Sequence, residues 1–184
     1  AGTMWWKRRP AGGLGVKMAC PDRDVFVMVG DGSYLMMATE LVTAVQENLK
    51  VIVVLVQNHG FASIGSLSES LGSQRFGTKY RRRGEGSHLA DEQVIDGVDI
   101  AVNARSWGLD VLEVHTIEEF KEAYRKAEAS DRPTMIHIET DLYGPNPPGS
   151  SWWDVPVSGV SELESTQRAY EEYLRDRKPE RHYL

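Results

Sequence analysis

The stretch Val25-Phe-Val-Met-Val-Gly-Asp-Gly-Ser33 decides the fold of this chain. It begins with a continuous apolar run, Val25–Val29, which is typical of a strand buried on both faces. The run stops abruptly at Gly30-Asp31-Gly32, and the next segment starts with Ser33, a good helix-capping residue. The stretch therefore predicts a buried strand that leads, through a short glycine turn, into a helix capped by Ser33.

A helix and a second strand follow this stretch. Apolar residues recur with helical spacing, namely Leu35, Ala38, Leu41, Val42, Val45 and Leu49. Val51–Val56 is a second apolar, β-branched run, and it stops at Gln57-Asn58-His59-Gly60. A strand, a helix and a strand within about thirty residues form a βαβ unit, which requires parallel strands and a right-handed crossover.

The same alternation returns later in the chain. The pattern predicts helices over 98–107, 117–129 and 161–175, the first ending at Gly108 and the last capped by Ser161, and strands over 111–114 and 134–138. Residues 61–97 are rich in Gly and Ser without a clear period, so they are either disordered or a functional loop with short helical turns, and we expect this loop to be mobile without a ligand. Residues 144–149 are a firm break. The sequence predicts an α/β fold, a mainly parallel sheet with helices on both faces.

Composition limits the classes of protein that fit. The chain has 184 residues, 41% of them hydrophobic and 26% charged, which suits one soluble domain with a full core. A net charge of −6 argues against a nucleic-acid partner. The longest apolar run is far too short to span a bilayer, and one cysteine, Cys20, excludes an internal disulfide framework. We expect a cytoplasmic protein without a membrane partner.

Two polar residues follow consecutive strands of the βαβ unit. Asp31 follows the first strand and Asn58 the second, and parallel strands bring their carboxyl ends to one edge of the sheet. A carboxylate, an amide oxygen and a main-chain carbonyl near Gly60 supply three hard oxygen ligands, which suit Mg²⁺. The flanking glycines and the helix start suit a diphosphate. Gly-Asp-Gly or Asn-His-Gly alone is usually just a turn, but the pair one crossover apart is more specific.

The pair also resembles a known motif. Gly30-Asp31-Gly32, then 25 residues, then Asn58 is similar to the thiamine diphosphate motif of the pyruvate-decarboxylase and acetolactate-synthase superfamily. The resemblance extends from about Ala11 to the C-terminus and matches the cofactor-diphosphate (PP) domain, which is usually the last of three. It implies thiamine diphosphate and Mg²⁺ as cofactors. It implies Asp31, Asn58 and the Gly60 main chain as Mg²⁺ ligands, with Gly30, Gly32 and Ser33 completing the cofactor-binding set.

The sequence around the two motifs resembles one branch of that superfamily. Val29–Met37, Asn58–Gly65, Leu67–Gly72 and Phe76–Arg81 look like the trihydroxycyclohexane-1,2-dione hydrolases of myo-inositol breakdown, which open a cyclic diketone by C–C bond hydrolysis. The implied function is the PP domain of such a hydrolase acting on a small molecule. The alternatives are an acetolactate synthase-like or 2-oxo acid decarboxylase domain, or a non-catalytic fragment or split subunit.

The resemblance also implies a missing part. In the superfamily, the glutamate that activates the cofactor belongs to a different domain, the pyrimidine-binding (PYR) domain, usually of a partner subunit. We therefore assign no catalytic residue to this chain, read Glu40 as a helix-surface carboxylate, and expect the isolated chain to be inactive. The expected partner is a PYR domain of the same or another subunit within a homo-oligomer. Residues 1–10 do not match and suggest a cut edge or scar, so the domain is placed at 11–184.

Several further side chains have two interpretations. His59 either faces a substrate or cofactor, or has a local role in its turn. His137 reads as a core histidine with a partner and His115 as a helix-start or surface residue. Arg81–Arg83 is either a solvated surface run or a group that helps to hold an anion. The Trp152-Trp153 pair is interpreted as packing an interface or covering the core.

Overall fold

The computed structural model of the chain describes residues 9–73, 77–83, 89–95, 98–141 and 155–179. The helices of this part are α1 (Arg9–Ala19), α2 (Asp31–Met37), α3 (Glu40–Gln46), α4 (Ala62–Ser70), α5 (Ile100–Ser106), α6 (Ile117–Ala129) and α7 (Glu164–Arg177). The strands are β1 (Phe26–Gly30), β2 (Ile52–Gln57), β3 (Arg81–Arg83), β4 (Leu89–Val94), β5 (Asp110–Val114) and β6 (Thr134–Glu139). The chain divides into two compact units, the first being Ala1–Phe61 with Tyr80–Leu142 and the second Ala62–Lys79 with Tyr143–Leu184.

A four-stranded sheet forms the centre of the first unit. Its strand order is β1-β2-β6-β5, and every neighbouring pair is parallel. The register aligns Gly30 with Val56 and Gln57 with Glu139, so the carboxyl ends of β1, β2 and β6 lie side by side. The prediction of a parallel sheet is confirmed. The polar residues that follow β1, β2 and β6 therefore lie at one edge of this sheet, its carboxyl edge.

The sheet carries helices on both faces, as the sequence predicts. On one face, strand residues pack with side chains of α1, α2, α3 and α5; this core includes Leu14, Val27, Val29, Tyr34, Leu41, Val53, Leu55, Ile100 and Met135. On the other face, Ile52 and Ile136 pack with Ala123 and Ala127 of α6. Alternate residues of β2 thus enter opposite cores, which explains why its sequence is apolar throughout.

The first strand does not fit the expectation of burial on both faces. Met28 is 62% exposed and Phe26 is 39% exposed, whereas Val27 and Val29 are buried. The reason is that β1 is an edge strand and α6 contacts β5 and β6 at the other side of the sheet. Phe26 still stacks on Tyr124 of α6, with ring centroids 5.1 Å apart.

The predicted helix after β1 is two helices, and the proposed Ser33 cap is wrong. Gly30 occupies the N-cap position and α2 begins at Asp31, so Ser33 lies inside the first turn. The helix breaks at Ala38–Thr39, where the Leu41 N–H donates to the Ala38 carbonyl at 2.9 Å, a three-residue step in place of a four-residue one. The chain therefore turns into α2 directly at the end of the strand, without the intervening glycine turn.

The Gly- and Ser-rich region contains more regular structure than its sequence suggests. Within residues 61–97 the described part holds α4 and an antiparallel pair, β3 and β4, with Arg81 opposite Val94. The Arg81–Arg83 run is thus strand β3, and the mobility expected for this region stays a prediction. The break at 144–149, the pair at 152–153 and residues 1–8 lie outside the described residues.

The second unit joins α4 to α7. The Gly72 carbonyl accepts hydrogen bonds from the Ser165 hydroxyl at 2.6 Å and the Thr166 hydroxyl at 2.9 Å. α7 begins at Glu164 with Leu163 at its N-cap, so Ser161 does not cap it; its hydroxyl instead accepts from the Leu163 N–H at 3.1 Å. No helix in the described part of the chain has the length and apolar character needed to cross a membrane.

Candidate functional site

Asp31 is the centre of a hydrogen-bonded cluster at the carboxyl edge of the sheet. Its side chain is fully buried at the start of α2. Oδ1 accepts from the Gly32 N–H at 2.8 Å, and Oδ2 accepts from the Gly60 N–H at 3.0 Å and the Asn58 N–H at 3.3 Å. The expectation that Asp31 and Asn58 are neighbours in space is confirmed, because the end of β2 reaches the carboxylate directly.

The electrostatics of this carboxylate favour a positive partner. Burial raises the pKa of Asp31, and the N–H groups of Gly32, Gly60 and Asn58 act in the opposite direction. Burial disfavours the charged form of a carboxyl, whereas a cation in contact with it favours that form. A cation bound beside Asp31 would therefore stabilise the charged form that burial disfavours.

The Asn58 amide and the Gly60 carbonyl complete the cluster. One terminal atom of the Asn58 amide lies 2.9 Å from the Gly60 carbonyl oxygen and 3.2 Å from Asp31 Oδ1. If that atom is the amide nitrogen, it donates to both oxygens. If it is the amide oxygen, three oxygens converge and require a cation between them. With the amide oxygen inward the residues present fit a divalent cation, and with the amide nitrogen inward they satisfy one another by hydrogen bonds.

The predicted glycines have distinct places in the site. Gly30 ends β1, and Gly32 already gives its N–H to Asp31. A Cβ at Gly32 would lie 2.7 Å from ring carbons of Phe61, so this position needs glycine for packing as well as for any ligand approach. Ser33 is half-buried in the first turn of α2. Among the described residues no three or more His, Cys, Asp or Glu side chains group together as metal ligands.

A polar chain runs from the cluster along the ends of β2 and β6. His59 has a left-handed backbone, with φ 56°. Its ring pairs with Glu139, Nε2 to Oε1 at 2.5 Å, and its Nδ1 lies 3.4 Å from Gln57 Nε2. Gln57 Oε1 in turn lies 2.7 Å from His137 Nε2. The interpretation of His59 as a turn residue gains support, because its side chain is held by neighbours on both strands.

The remaining predicted side chains have local partners. His137 is half-buried beside Gln57, and burial lowers its pKa against the opposing effect of Glu113. His115 is exposed, and its N–H donates to Glu119 at 2.7 Å at the start of α6. Glu40 begins α3 and accepts from Thr43 on the exposed surface, as expected of a helix-surface carboxylate.

Four residues of this site were not predicted, namely Gln57, Phe61, Tyr80 and Glu139. Glu139 carries a usable signal, because it directly follows the strand predicted over 134–138, and Asp31 and Asn58 likewise follow predicted strands. Gln57 immediately precedes the recognised motif. Tyr80 approaches the site from a region without periodicity, where its N–H donates to the His59 carbonyl at 3.0 Å. Only the fold brings Tyr80 to this place.

The family described as "Thiamine pyrophosphate enzyme, C-terminal TPP binding domain" matches residues 7–138. This match contains the four-stranded sheet except the last residue of β6, together with the carboxylate cluster and the turn after β2. The chain belongs to this family, and thiamine diphosphate is its cofactor.

Individual relatives carry more particular names. The chain is 35% identical, over 98% of its length, to 3D-(3,5/4)-trihydroxycyclohexane-1,2-dione hydrolase 2 of Bacillus cereus, and spans 30% of that protein. It is 40% identical, over 88% of its length, to the 3D-(3,5/4)-trihydroxycyclohexane-1,2-dione hydrolase of Bacillus subtilis, and spans 24% of it. The chain thus corresponds to less than a third of these relatives.

Solved structures agree with the fold. The thiamine diphosphate-dependent 4-hydroxybenzoylformate decarboxylase of Rhodococcus jostii superposes with a TM-score of 0.56 and 27% identity over 70% of this chain and 22% of its own. Benzoylformate decarboxylase from Polynucleobacter necessarius superposes with a TM-score of 0.55 and 23% identity over 71% of this chain and 22% of its own. The second likeness shows the fold alone.

Proposed function

We propose that this chain is the thiamine diphosphate- and Mg²⁺-binding part of a hydrolase that opens trihydroxycyclohexane-1,2-dione in myo-inositol breakdown. The names of the Bacillus relatives support the reaction and the substrate. The convergence of the Asp31 carboxylate, the Asn58 amide and the Gly60 carbonyl is the observation that carries the cofactor site. A cytoplasmic location and a domain at residues 11–184 belong to the same proposal, although α1 already begins at Arg9.

The spacing of the cluster is compatible with Mg²⁺ when the Asn58 amide oxygen faces the other two oxygens. Neighbouring oxygens of an octahedral Mg²⁺ shell, each about 2.1 Å from the metal, are about 3 Å apart. The Asn58 amide atom lies 2.9 Å from the Gly60 carbonyl and 3.2 Å from Asp31 Oδ1. We assign Asp31 Oδ1, Asn58 Oδ1 and the Gly60 carbonyl as the groups of this chain that would hold Mg²⁺.

In this proposal, the residues of this chain bind and orient the cofactor. When bound, thiamine diphosphate supplies an electron sink for cleavage of a C–C bond next to a carbonyl. Asp31, held by three main-chain N–H groups, would fix the position of the metal, which would supply positive charge for the diphosphate. The activating glutamate is assigned to a PYR domain of the same or a partner subunit, within a homo-oligomer, so no catalytic residue is assigned here.

Calorimetry with matched variants tests this assignment. We expect thiamine diphosphate to bind the chain when Mg²⁺ is present and binding to be lost with Asp31→Ala. The control is Asp24→Ala, which removes an exposed carboxylate paired with Lys50 just before the opposite end of β1. Magnesium-dependent affinity that survives Asp31→Ala would refute the metal-ligand assignment.

An acetolactate synthase-like or 2-oxo acid decarboxylase function is the second candidate. The likeness to a 4-hydroxybenzoylformate decarboxylase at 27% identity favours it. Product analysis on an enzyme assembled with a PYR domain separates the two, since the leading proposal requires ring opening of a cyclic diketone, whereas the alternative requires conversion of pyruvate or another 2-oxo acid. The third candidate, a non-catalytic fragment or split subunit, is tested by native mass measurement with and without a PYR-domain partner.

A further inference from the structure

Tyr80 is fixed beside the carboxylate cluster by its backbone. Its N–H donates to the His59 carbonyl at 3.0 Å, which attaches it to the turn between Asn58 and Gly60. Its own carbonyl accepts from the Ile95 N–H at 3.1 Å, just after β4. These two hydrogen bonds hold the Tyr80 backbone beside the turn formed by Asn58, His59 and Gly60.

The Tyr80 ring belongs to an aromatic pair that packs beside the start of α2. It meets Phe61 edge to face, with ring centroids 6.2 Å apart and planes at 84°. Phe61 in turn fills the space where a Cβ on Gly32 would lie, 2.7 Å from that position. The pair therefore lies against the same backbone that carries Asp31 and Gly32.

The Tyr80 hydroxyl is the unusual group in this pair. It is buried, and it has no hydrogen-bond partner in the part of the chain that the structure describes. Burial raises the pKa of Tyr80, and the nearby Asp31 charge raises it further, so the group keeps its proton. A buried hydroxyl without a partner costs free energy, which makes a donor without an acceptor a feature that requires a reason.

The Asp31 carboxylate does not serve as that acceptor. Its two oxygens accept from Gly32, Asn58 and Gly60, and a hydrogen bond from Tyr80 is not among the contacts of the described residues. The missing acceptor must therefore be brought by something else that binds next to Asp31. A diphosphate has several strongly accepting oxygens and is the ligand proposed for this place.

We propose that the Tyr80 hydroxyl donates a hydrogen bond to a diphosphate oxygen of the cofactor held at Asp31, Asn58 and Gly60. This inference rests on the proposed function and adds a binding residue outside the two recognised motifs. It also gives the aromatic pair a role, because Phe61 packs both against Gly32 and against the Tyr80 ring.

The test replaces the hydroxyl without changing the ring. Tyr80→Phe is expected to bind thiamine diphosphate with about 10-fold lower affinity in saturating Mg²⁺, the loss typical of a hydrogen bond to a charged group. The same loss is expected with inorganic pyrophosphate as the probe, since the contact is to the diphosphate. The unfolding temperature of the ligand-free variant should be unchanged or higher, because an unsatisfied buried group has been removed.

Tyr34→Phe is the matched control. The Tyr34 hydroxyl donates to Asn103 Oδ1 at 2.9 Å, and its ring stacks on Trp107. This variant should lower the unfolding temperature and leave the affinity for thiamine diphosphate unchanged, which is the reverse of the pattern expected for Tyr80→Phe.

The outcomes separate this inference from the proposed function. If Asp31→Ala abolishes binding but Tyr80→Phe binds as the unchanged chain does, the Tyr80 inference is wrong and the cofactor site stands. A Tyr80→Phe variant with a lowered ligand-free unfolding temperature would also overturn it, because the hydroxyl would then have a structural partner. If thiamine diphosphate with Mg²⁺ binds neither the unchanged chain nor the chain assembled with a PYR domain, both proposals fall.

Discussion

At the scale of single residues, His59 shows how the site uses an unfavourable backbone. A left-handed conformation costs roughly 1–2 kcal/mol for a residue with a side chain. At His59 it places the N–H groups of Asn58 and Gly60 on the same Asp31 oxygen. The imidazole pairs with Glu139, which compensates part of the cost by tying the turn to β6.

This backbone requirement leads to a prediction about stability. In the ligand-free chain, His59→Gly should be more stable than His59→Ala by about 1 kcal/mol, because glycine adopts φ > 0 freely. Both variants lack the imidazole, so their difference reports the backbone alone. The measurement is the free energy of unfolding in urea.

The same pair of substitutions at an ordinary helical position supplies the control. At Glu122, exposed in α6, glycine should be less stable than alanine by about 1 kcal/mol. A preference for alanine at both positions would contradict the strain assigned to His59.

The residues of the site were predictable only where local sequence carries the signal. Asp31 and Asn58 follow apolar runs, and parallel pairing then brings them together. Tyr80 lies in a region without periodicity and reaches the site through hydrogen bonds to His59 and Ile95, which no local pattern encodes. Glu139 follows a predicted strand, but its place beside β2 depends on the order β1-β2-β6-β5.

At the scale of elements, the packing of α1 on β1 depends on one small residue. A Cβ at Gly13 would lie 2.2 Å from Val27 Cγ2, whereas a Cβ at Gly12 would meet nothing within 4 Å. The two glycines are adjacent in the same helix and share its backbone conformation. Gly13 lies on the side of the helix that faces the sheet, and Gly12 does not.

This difference predicts opposite effects of the same substitution. Gly13→Ala should lower the free energy of unfolding by about 1–3 kcal/mol, the usual cost of overpacking. Gly12→Ala should raise it by about 0.5–1 kcal/mol, because alanine is the better helix former. Urea unfolding of both variants provides the measurement.

A second substitution identifies the clash itself. Val27→Ala removes the methyl that the new Cβ would meet, so the double variant with Gly13→Ala should lose less stability than the two single changes summed. Strict additivity would show that α1 and β1 are not in the contact described.

Three strands and one long helix were predicted well because each keeps a single hydrophobic pattern from its first residue to its last. β2, β5, β6 and α6 lie within a residue or two of their expected bounds. The predicted helix end at Gly108 is confirmed by its φ of 93° and by its N–H bond to Arg105. The division between α2 and α3 was missed because the apolar spacing continues across Ala38 while the hydrogen bonds change, and sequence patterns report only the spacing.

At the scale of the whole molecule, the chain spans less than a third of its named relatives. With thiamine diphosphate and Mg²⁺ alone, we expect the isolated chain to show no turnover of the cyclic diketone. A chimera in which the chain replaces the matching part of the Bacillus subtilis relative should be active if the remainder of that relative supplies the proposed PYR domain. Product formation by chromatography measures both.

The Asp31→Ala form of that chimera is the control, and it should be inactive while retaining the same oligomeric mass. Turnover by the isolated chain would contradict the assignment of the activating group to another domain. An inactive chimera that binds the cofactor normally would contradict the proposed substrate.

The second unit has a consequence for how the molecule is made. Its two segments are separated in sequence by the later strands of the sheet, and the Gly72 carbonyl meets hydroxyls 93 and 94 positions downstream. On the ribosome, Gly72 emerges long before Ser165 and Thr166, so its carbonyl is made before the two hydroxyls that donate to it. Synthesis and assembly therefore follow different orders, and the late closure of this long loop is expected to be a slow event in refolding from denaturant.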